Sequence, residues 1–534
     1  MILYKIFYQL KIIIHNKKNF KKSRKNITKK KLNFLVEFNA FSYQHIILSY
    51  LVNLFDNKFN CNFFSYPSHT LVSYPIENSI TKKIKIYVLK LLNLGTYGLY
   101  KSLGINNFLE FIIDGDIKSK VKFFIKKKKP KSKLALLNLK VNNVLIGDLA
   151  YDTYLKKYRE PYPTINVKSE KFSNFFEEFM SLFFIWEKIF KEKKINRVIL
   201  SHEVYSMGLP ARICNTRGGE SYLIEYNRFT RHNKSFLHRF SFTKNYKKDF
   251  NKFPKKLQKI FTKKAKLKLR ERISGSVKDI PYMTKSAFKN NFTLNKNLIH
   301  DRKKNLKVLI STHDFVDAPH VNGKFIFNDM VEWLEFLVKF SKETNYTWYI
   351  KNHPSMNDKW KTYQTYTRSV VDQIIKKSNI ILLDSNISHN YLIKKVGINC
   401  VLTVSGRIAH EYAYHKIPVI NASINNIHSS FKFNFHAKNI NHYKYLIKNF
   451  SKLKKNLKYN EVLKFYYMHY INIDKNWFFD DLEMFFRKIN GYHNLTSYET
   501  YKEWLKQFNI NTNERIYSRL EEFIESDSLV LKKF

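Results

Sequence analysis

Residues 400–421 read CVLTVSGRIAHEYAYHKIPVIN, and this segment is the clearest indication of the fold class. The apolar run at 400–403 predicts a short buried strand, and the Ser-Gly turn that follows predicts the start of a helix. A second apolar run at 419–421, directly after Pro418, predicts another strand. Strand, helix and strand in this order are typical of a parallel sheet in an α/β domain.

The same alternation extends upstream from this stretch. We predict strands at 307–310, 347–350, 380–383, 400–403 and 419–421, with helices at 329–344 and 369–377 among them. Segments of this kind, repeated in this order, predict a doubly wound, Rossmann-like domain over residues 305–430.

The N-terminal half contains a shorter version of the pattern. Aromatic residues recur every three or four positions between 172 and 190, which predicts one face of a long amphipathic helix. A strand at 197–200, a helix at 208–216 and a strand at 222–224 follow it. This rhythm again favours a parallel sheet.

We therefore predict an α/β protein of two Rossmann-like domains facing a cleft. Residues 1–300 form the first domain, with a Lys-rich connector from about residue 245. Residues 305–430 form the second domain, and residues 431–534 form a helical region that packs back on the body.

Composition excludes some classes of protein. The chain has 534 residues, a net charge of +52, 44% hydrophobic and 16% aromatic residues, so it is too apolar for a disordered polycation. The charge favours phosphates, anionic sugars, an anionic membrane surface or nucleic acid, but no nucleic-acid-binding motif is present. Only three cysteines occur, far apart, which disfavours a disulfide framework and a thiolate metal site.

Polar residues that follow predicted strands are the candidates for binding, because ligands of open parallel sheets lie at the carboxyl ends of the strands. The turn at Ser405 and Gly406 lets backbone amides approach a phosphate, and Glu411 can accept hydrogen bonds from a ribose. Upstream, Lys351 and His353 end a strand and can meet the same phosphate. The alternative is that Ser405 only caps a helix and Glu411 is a solvated acid.

The loop after the first strand of the second domain is also rich in polar residues. His313, Asp314, Asp317 and His320 lie within eight residues, but their spacing matches no standard zinc ligand set. We predict an interdomain substrate-binding loop with no metal.

Four polar side chains near strand ends of the first domain can act as acid or base, or bind acceptor hydroxyls. They are Asp148, Asp152, His202 and Glu203. For each residue taken alone, a role in a cap or turn is the alternative.

Together these motifs resemble bacterial capsule or surface-polysaccharide biosynthesis proteins of the GT-B glycosyltransferase type. The resemblance covers residues 140–425 and rests on the order of five motifs. They are IGDLAYDTYL at 146–155, SHEVY at 201–205, HDFVDAPH at 313–320, KNHP at 351–354 and TVSG at 403–406.

The resemblance implies that the second domain binds a nucleotide-sugar donor and the first domain binds the acceptor. It implies that His353 and Ser405 contact the donor phosphates, that Glu411 contacts the nucleotide, and that no metal or other cofactor is required. Arg407 is bulkier than the small residues usual after the Ser-Gly turn, and we expect it to supply a cation to the phosphate. Tyr151 belongs to the 146–155 motif and is assigned to the cleft.

The predicted activity is transfer of a sugar from a nucleotide-sugar to a capsular or surface polysaccharide or a glycolipid. We expect Asp148, His202 and Glu203, in this order, to activate the acceptor hydroxyl. The predicted location is cytoplasmic, with peripheral contact at the inner face of the plasma membrane. Two alternatives stay open: a nucleotide-sugar epimerase or polyol-phosphate transferase of the same fold, and a non-catalytic binder of polyanions or nucleic acid.

Overall fold

The computed structural model describes residues 2–20, 28–68, 71, 87–277, 286–289, 305–352, 361–376 and 378–533. The strands are β1 Thr28–Phe38, β2 Phe59–Pro67, β3 Asn107–Phe108, β4 Lys140–Val141, β5 Val144–Leu145, β6 Arg197–Leu200, β7 Glu220–Glu225, β8 Arg228–His232, β9 Lys307–Ser311, β10 Thr347–Lys351, β11 Ile381–Leu383, β12 Cys400–Thr403, β13 Val419–Asn421 and β14 Phe435–His436. The α-helices are Ile2–Asn19, Ser42–Lys58, Gly95–Ser102, Gly115–Lys128, Lys133–Leu137, Gly147–Tyr158, Glu170–Glu192, Leu209–Thr216, Tyr246–Lys252, Lys255–Ile273, Met330–Ser341, Lys361–Ile375, His389–Tyr391, Ile408–Tyr414, Ile440–Leu453, Glu461–Tyr466, Leu482–Lys488, Tyr498–Gln507 and Ile510–Glu525.

The first sheet has the strand order β3-β2-β1-β6-β7-β8, in which β8 is the antiparallel member. Side chains alternate across each strand, so Leu35 packs with the helix Glu170–Glu192 on one face. The aromatic residues of that helix are buried except for Phe184, which is partly buried, and this confirms the predicted amphipathic helix.

The opposite face of the first sheet is covered by the helix Ser42–Lys58 and by the C-terminal helices. Phe34 and Val36 of β1 share a core with Trp477, Phe478 and Trp504. The C-terminal region is therefore helical and completes the core of the first domain.

The second sheet has the order β11-β10-β9-β12-β13-β14, and all six strands are parallel. Its first five strands fall where the sequence predicts them. β14 lies beyond the predicted boundary at residue 430, and the helix Ile440–Leu453 packs on the same sheet through Tyr443 and Ile447. The second domain therefore extends further along the chain than its strand-rich sequence indicates.

The segment from residue 245, predicted to be a weakly patterned connector, is helical in the part that the structure describes. It forms the helices Tyr246–Lys252 and Lys255–Ile273, which pack on the second sheet through Phe250 and Leu269. The helical periodicity is difficult to recognise in this Lys-rich sequence, because the buried apolar residues occupy only a narrow stripe of the long helix.

Both sheets have the order 3-2-1-4-5-6 when their strands are numbered within each domain. This order reverses between the first and fourth strands, and ligands of such sheets bind at that switch point. The predicted fold of two Rossmann-like domains with a helical C-terminal region is thereby confirmed. Among the helices of the described ranges, none has the length and apolar character needed to cross a bilayer.

Candidate functional site

A cavity of about 340 Å³ opens at the switch point of the second sheet. The loops that follow β9, β10 and β12 form much of its wall. Six of the residues singled out from the sequence line it together: His313, Lys351, Ser405, Gly406, Arg407 and Glu411. Topology therefore brings side chains up to 98 positions apart into one site.

The turn after β12 approaches the loop after β9 so closely that only glycine fits at position 406. A Cβ placed on Gly406 would lie 2.8 Å from Oγ1 of Thr403 and 2.9 Å from Cε1 of His313. Because such contacts are shorter than real Cβ atoms show, a larger residue would push the two loops apart.

His313 packs against Thr403 and Gly406 at this contact, and its ring is neutral. Its Nε2 accepts the backbone N–H of Ser405 at 3.4 Å and lies 2.9 Å from Oγ1 of Thr403. Burial lowers the pKa of His313 to about 4, so the ring is uncharged near pH 7. With Nε2 accepting, the ring proton lies on Nδ1, and His313 is one of the residues that line the cavity.

Lys351 places a buried ammonium at the same edge of the sheet. Lys351 is the last residue of β10 and is 2% exposed. Within the described residues, Nζ makes one hydrogen bond, to the carbonyl oxygen of Ser385 at 2.9 Å. Burial lowers the pKa of Lys351 to about 8, and a bound anion would favour its charged form.

Glu411 is held by a residue that the sequence does not point to. Nε of Arg272 donates to Oε1 of Glu411 at 2.6 Å, and both side chains are buried in the cavity wall. Arg272 lies near the end of the helix Lys255–Ile273, 139 residues before its partner. No local sequence signal marks this pairing, because it depends on how the helix docks on the second sheet.

Other lining residues come from distant segments and were also missed. The aromatic rings of Phe240, Phe288, His389 and His469 contribute to the wall. His389 is fixed by a contact of 2.9 Å between its Nδ1 and the hydroxyl of Tyr412. The cavity thus combines an apolar side with a polar edge, as small-molecule sites commonly do. His353 lies outside the described residues, so its role stays a prediction.

Four residues that the sequence assigns to the cleft form hydrogen bonds between the two domains. Tyr151 donates to Asp329 at 2.6 Å, and Nδ1 of His320 lies 2.6 Å from Oδ1 of Asp152. Asp317 accepts from Lys156 of the first domain at 2.7 Å. The sequence predicts an interdomain loop here, and these polar groups bond across the junction. They are not among the residues that line the cavity, so their role toward a substrate stays a prediction.

The His320–Asp152 pair is fully buried between the domains. Burial lowers the pKa of His320, but the Asp152 carboxylate outweighs burial and raises that pKa above its ordinary value. Nε2 of the same ring lies 3.0 Å from the carbonyl oxygen of Asn328, so both ring nitrogens have partners. These contacts indicate a positioning role for the pair.

Asp314 belongs to the same loop as Asp317 and His320, but its carboxylate accepts hydrogen bonds within a local turn. Its Oδ1 accepts the backbone N–H groups of Val316 and Asp317 at 2.9 and 3.2 Å. Burial raises the pKa of Asp314 to about 6, which is suited to proton exchange near neutral pH.

Asp148, the first choice as acceptor base, lies in a buried ion pair. Its two carboxylate oxygens accept from Nη1 and Nη2 of Arg212 at 3.2 and 3.1 Å, and Nε2 of His238 lies 3.1 Å away. Burial raises the pKa of Asp148, but Arg212 and His238 outweigh burial and hold the pKa well below its usual range. A carboxylate so stabilised is a weak base.

His202 and Glu203 follow β6 at the switch point of the first sheet. Glu203 is buried, with Oε2 at 3.0 Å from Nδ1 of His232, and burial raises its pKa to about 7. His202 is half-buried, and its Nδ1 lies 2.7 Å from Oγ of Ser201. Burial lowers the pKa of His202, so the ring is neutral and able to accept a proton at pH 7.

Within the described ranges, no group of three or more His, Cys, Asp or Glu residues is arranged to hold a metal ion. The polar groups of the cavity are donors and cations for the greater part, which is the chemistry of an anion site.

Comparisons with known proteins give fold-level likenesses only. No family model and no curated protein matches the chain. Among solved structures, UDP-GlcNAc 2-epimerase of Neisseria meningitidis, bound to UDP-GlcNAc, is 8% identical with a TM-score of 0.21, covering 82% of this chain and 96% of that one. MurG of Acinetobacter baumannii is 11% identical with a TM-score of 0.18, covering 92% and 99%. The wall teichoic acid polymerase TagF is 12% identical with a TM-score of 0.20, covering 87% and 92%. Values this low define neither a family nor an activity for this chain.

Proposed function

We propose that this protein is a metal-independent glycosyltransferase that moves a sugar from a nucleotide-sugar to a capsular or surface polysaccharide or glycolipid acceptor. One observation carries the proposal. A cavity at the switch point of a Rossmann-like domain gathers a buried lysine, a neutral histidine ring and a Ser-Gly turn.

The donor diphosphate binds beside Lys351, His313 and the Ser405–Gly406 turn in this proposal. Lys351 is buried and carries a lowered pKa, so an anion at this place stabilises its charged form. Arg407 lines the same wall and supplies a second cation. Cations and fixed N–H donors neutralise the nucleoside diphosphate as it leaves, so the reaction needs no metal ion.

The nucleoside occupies the side of the cavity formed by Phe240, Phe288 and Arg272 in this proposal. Glu411 accepts hydrogen bonds from the ribose hydroxyls, and Arg272 fixes the carboxylate for that purpose through its contact of 2.6 Å. A carboxylate held by a guanidinium stays ionised, which strengthens the hydrogen bonds that it accepts.

Among the three predicted acceptor bases, the geometry favours His202. Asp148 is stabilised as an anion by Arg212, and Glu203 is 8% exposed. The ring of His202 is half-buried and neutral near pH 7. Burial lowers its pKa, and the negative charge of Asp317 in the second domain offsets part of that lowering. His202 therefore removes the proton of the acceptor hydroxyl in our proposal.

A nucleotide-sugar epimerase is the second candidate. It is favoured by the buried ion pair of Asp148 with Arg212 and by the burial of Glu203, because a reaction confined to the donor cavity needs no base on the acceptor side. The two candidates share the donor site and differ in their products.

The first experiment is a thermal-shift panel of uridine, cytidine, guanosine and thymidine mono- and diphosphates, with and without EDTA. We expect selective stabilisation by one nucleotide that is insensitive to EDTA and lost in Lys351→Met. Equal shifts with every polyphosphate would leave only non-specific charge and overturn the proposed donor site. For the activity, release of free nucleotide from the nucleotide-sugar only when acceptor is present indicates transfer, whereas a new nucleotide-sugar isomer without acceptor indicates the epimerase.

A further inference from the structure

The first helix, Ile2–Asn19, has an inner face that is fixed to the first domain. Gln9 donates to Thr96 at 3.2 Å, and Asn16 donates to Ser102 at 3.3 Å. Ile12 is buried between these two contacts. The helix is thus docked in one orientation, and its outer face points away from the protein.

That outer face is apolar. Leu3, Phe7, Leu10 and Ile14 have exposed fractions of 81, 50, 37 and 66%. At 3.6 residues per turn, these four side chains fall within an arc of about 60°. Soluble proteins rarely leave such a continuous apolar stripe in water, so the stripe indicates a binding surface.

A second exposed apolar segment lies next to the same supporting helix. Tyr87, Val88, Leu91 and Leu92 are between 41 and 66% exposed. Lys101 of the helix Gly95–Ser102 donates to the carbonyl oxygen of Lys90 at 2.8 Å, so this segment and the first helix both pack on Gly95–Ser102.

The N-terminal sequence that contains the stripe carries charge of one sign. Residues 1–36 contain eleven Lys and Arg and no Asp or Glu. On the helix, the exposed side chains of Lys11, Lys17 and Lys18 flank the apolar arc, and Nζ of Lys11 lies 4.6 Å from the centre of the Phe7 ring. Long Lys side chains beside an apolar face can keep their ammonium groups at a polar boundary while their stems stay in apolar surroundings.

We propose that these two segments form a docking surface for an anionic lipid bilayer, with the first helix lying in the plane of the membrane interface. We call this the N-terminal docking face and define it by its exposed apolar residues: Leu3, Tyr4, Phe7, Leu10, Ile14, Tyr87, Val88, Leu91 and Leu92.

The apolar residues enter the boundary between headgroups and acyl chains, and the lysines pair with acidic headgroups. A second copy of the chain is a poorer occupant, because the first helix carries lysines and no acidic residue, so two such helices would repel each other. A soluble polyanion is poorer too, because it gives the apolar stripe nothing to enter. The inference goes beyond the proposed function, since it concerns binding to lipid and not the reaction.

The test is co-sedimentation of the full chain with vesicles of phosphatidylcholine alone or of equal parts phosphatidylcholine and phosphatidylglycerol. We expect binding to the mixed vesicles, and a drop of about tenfold or more in the partition coefficient for Phe7→Ser combined with Ile14→Ser. The matched control combines Leu267→Ser with Ile510→Ser, which removes two apolar side chains that are 53 and 72% exposed elsewhere. The control should bind as the unchanged chain does.

A second variant, Lys17→Gln with Lys18→Gln, should weaken binding to the mixed vesicles and make it less sensitive to salt. Equal binding by the Phe7/Ile14 variant and the unchanged chain, at equal melting temperature, would overturn the proposal. So would a change from dimer to monomer in sedimentation with no change in lipid binding, since it would identify a self-interface. The nucleotide thermal shift is measured on the same variants and should not change, so a failure of this inference is distinct from a failure of the donor site.

Discussion

The phenol of Tyr151 donates a hydrogen bond of 2.6 Å to Asp329, and this contact joins the two domains across 178 residues of sequence. The same carboxylate accepts from Thr164 and Lys133 of the first domain and, through Oδ1, from the backbone N–H of Glu332 at 2.9 Å. Asp329 is fully buried and is the N-cap of the helix Met330–Ser341. One side chain therefore sets both a helix start and the junction of the domains.

Replacing Asp329 by Ala should lower the free energy of unfolding by about 2–4 kcal/mol, because a cap and several buried hydrogen bonds are lost together. Chemical denaturation followed by fluorescence measures this. Asp329→Asn is the matched control, since an amide keeps the cap and should recover part of the loss. Equal stability of Asp329→Ala and the unchanged protein would contradict a junction role.

Gly406→Ala should weaken nucleotide binding by about tenfold or more and destabilise the protein by about 1–3 kcal/mol. The added Cβ would meet Thr403 and His313 at less than 3 Å, so the two loops of the cavity must separate. Titration calorimetry with the nucleotide selected in the thermal-shift panel measures the affinity. Gly115→Ala is the control, because no atom lies within 4 Å of its added Cβ; a loss of affinity in this variant as well would remove the steric explanation.

Nucleotide affinity should depend on pH through Lys351. The ammonium has a pKa of about 8, and the diphosphate binds the charged form, so affinity is full below this pH and falls by up to about tenfold per pH unit above it. Calorimetry from neutral to alkaline pH measures the curve. Lys351→Met should flatten it, whereas Lys339→Met, on the exposed side of the helix Met330–Ser341, should leave it unchanged. A curve without an inflection near pH 8 in the unchanged protein would count against Lys351 as the phosphate ligand.

Asp148→Asn should act mainly on stability. Removing one partner of the buried pair leaves Arg212 uncompensated and costs about 3–5 kcal/mol. Because the folded pKa of Asp148 is depressed, its contribution is present above the unfolded pKa of about 3.9 and is lost as pH falls below it. Thermal unfolding at several pH values measures this, and the double variant with Arg212→Met should be more stable than Asp148→Asn alone. A folded Asp148→Asn protein of unchanged stability that has lost its activity would restore the catalytic interpretation.

Local sequence predicts the second domain well and the first only in part. The strands at Lys307–Ser311, Cys400–Thr403 and Val419–Asn421 are short apolar runs between turns, and each falls within one residue of its predicted place. Most of the first domain before residue 140 matches no pattern that we recognised from the sequence, although Thr28–Phe38 is its central strand. Three lysines at the start of that strand obscure its buried half.

Some residues of the candidate site could likewise be predicted from the sequence, and others could not. Ser405, Gly406 and Lys351 could be predicted, because ligands bind where parallel strands end. The Arg272–Glu411 and Asp148–Arg212 pairs could not be predicted, because each depends on the docking of one element against another over 139 and 64 residues. Sequence patterns report periodicity within an element and do not report such pairings.

The C-terminal helices on the first sheet have a consequence for the order of folding. Phe34 and Val36, near the beginning of the chain, share their core with Trp477 and Trp504, near its end. During synthesis the two tryptophans of this core are therefore added only after 440 or more residues have followed Val36. The core of the first domain is therefore completed by residues that are made only after the last strand of the second sheet, Phe435–His436.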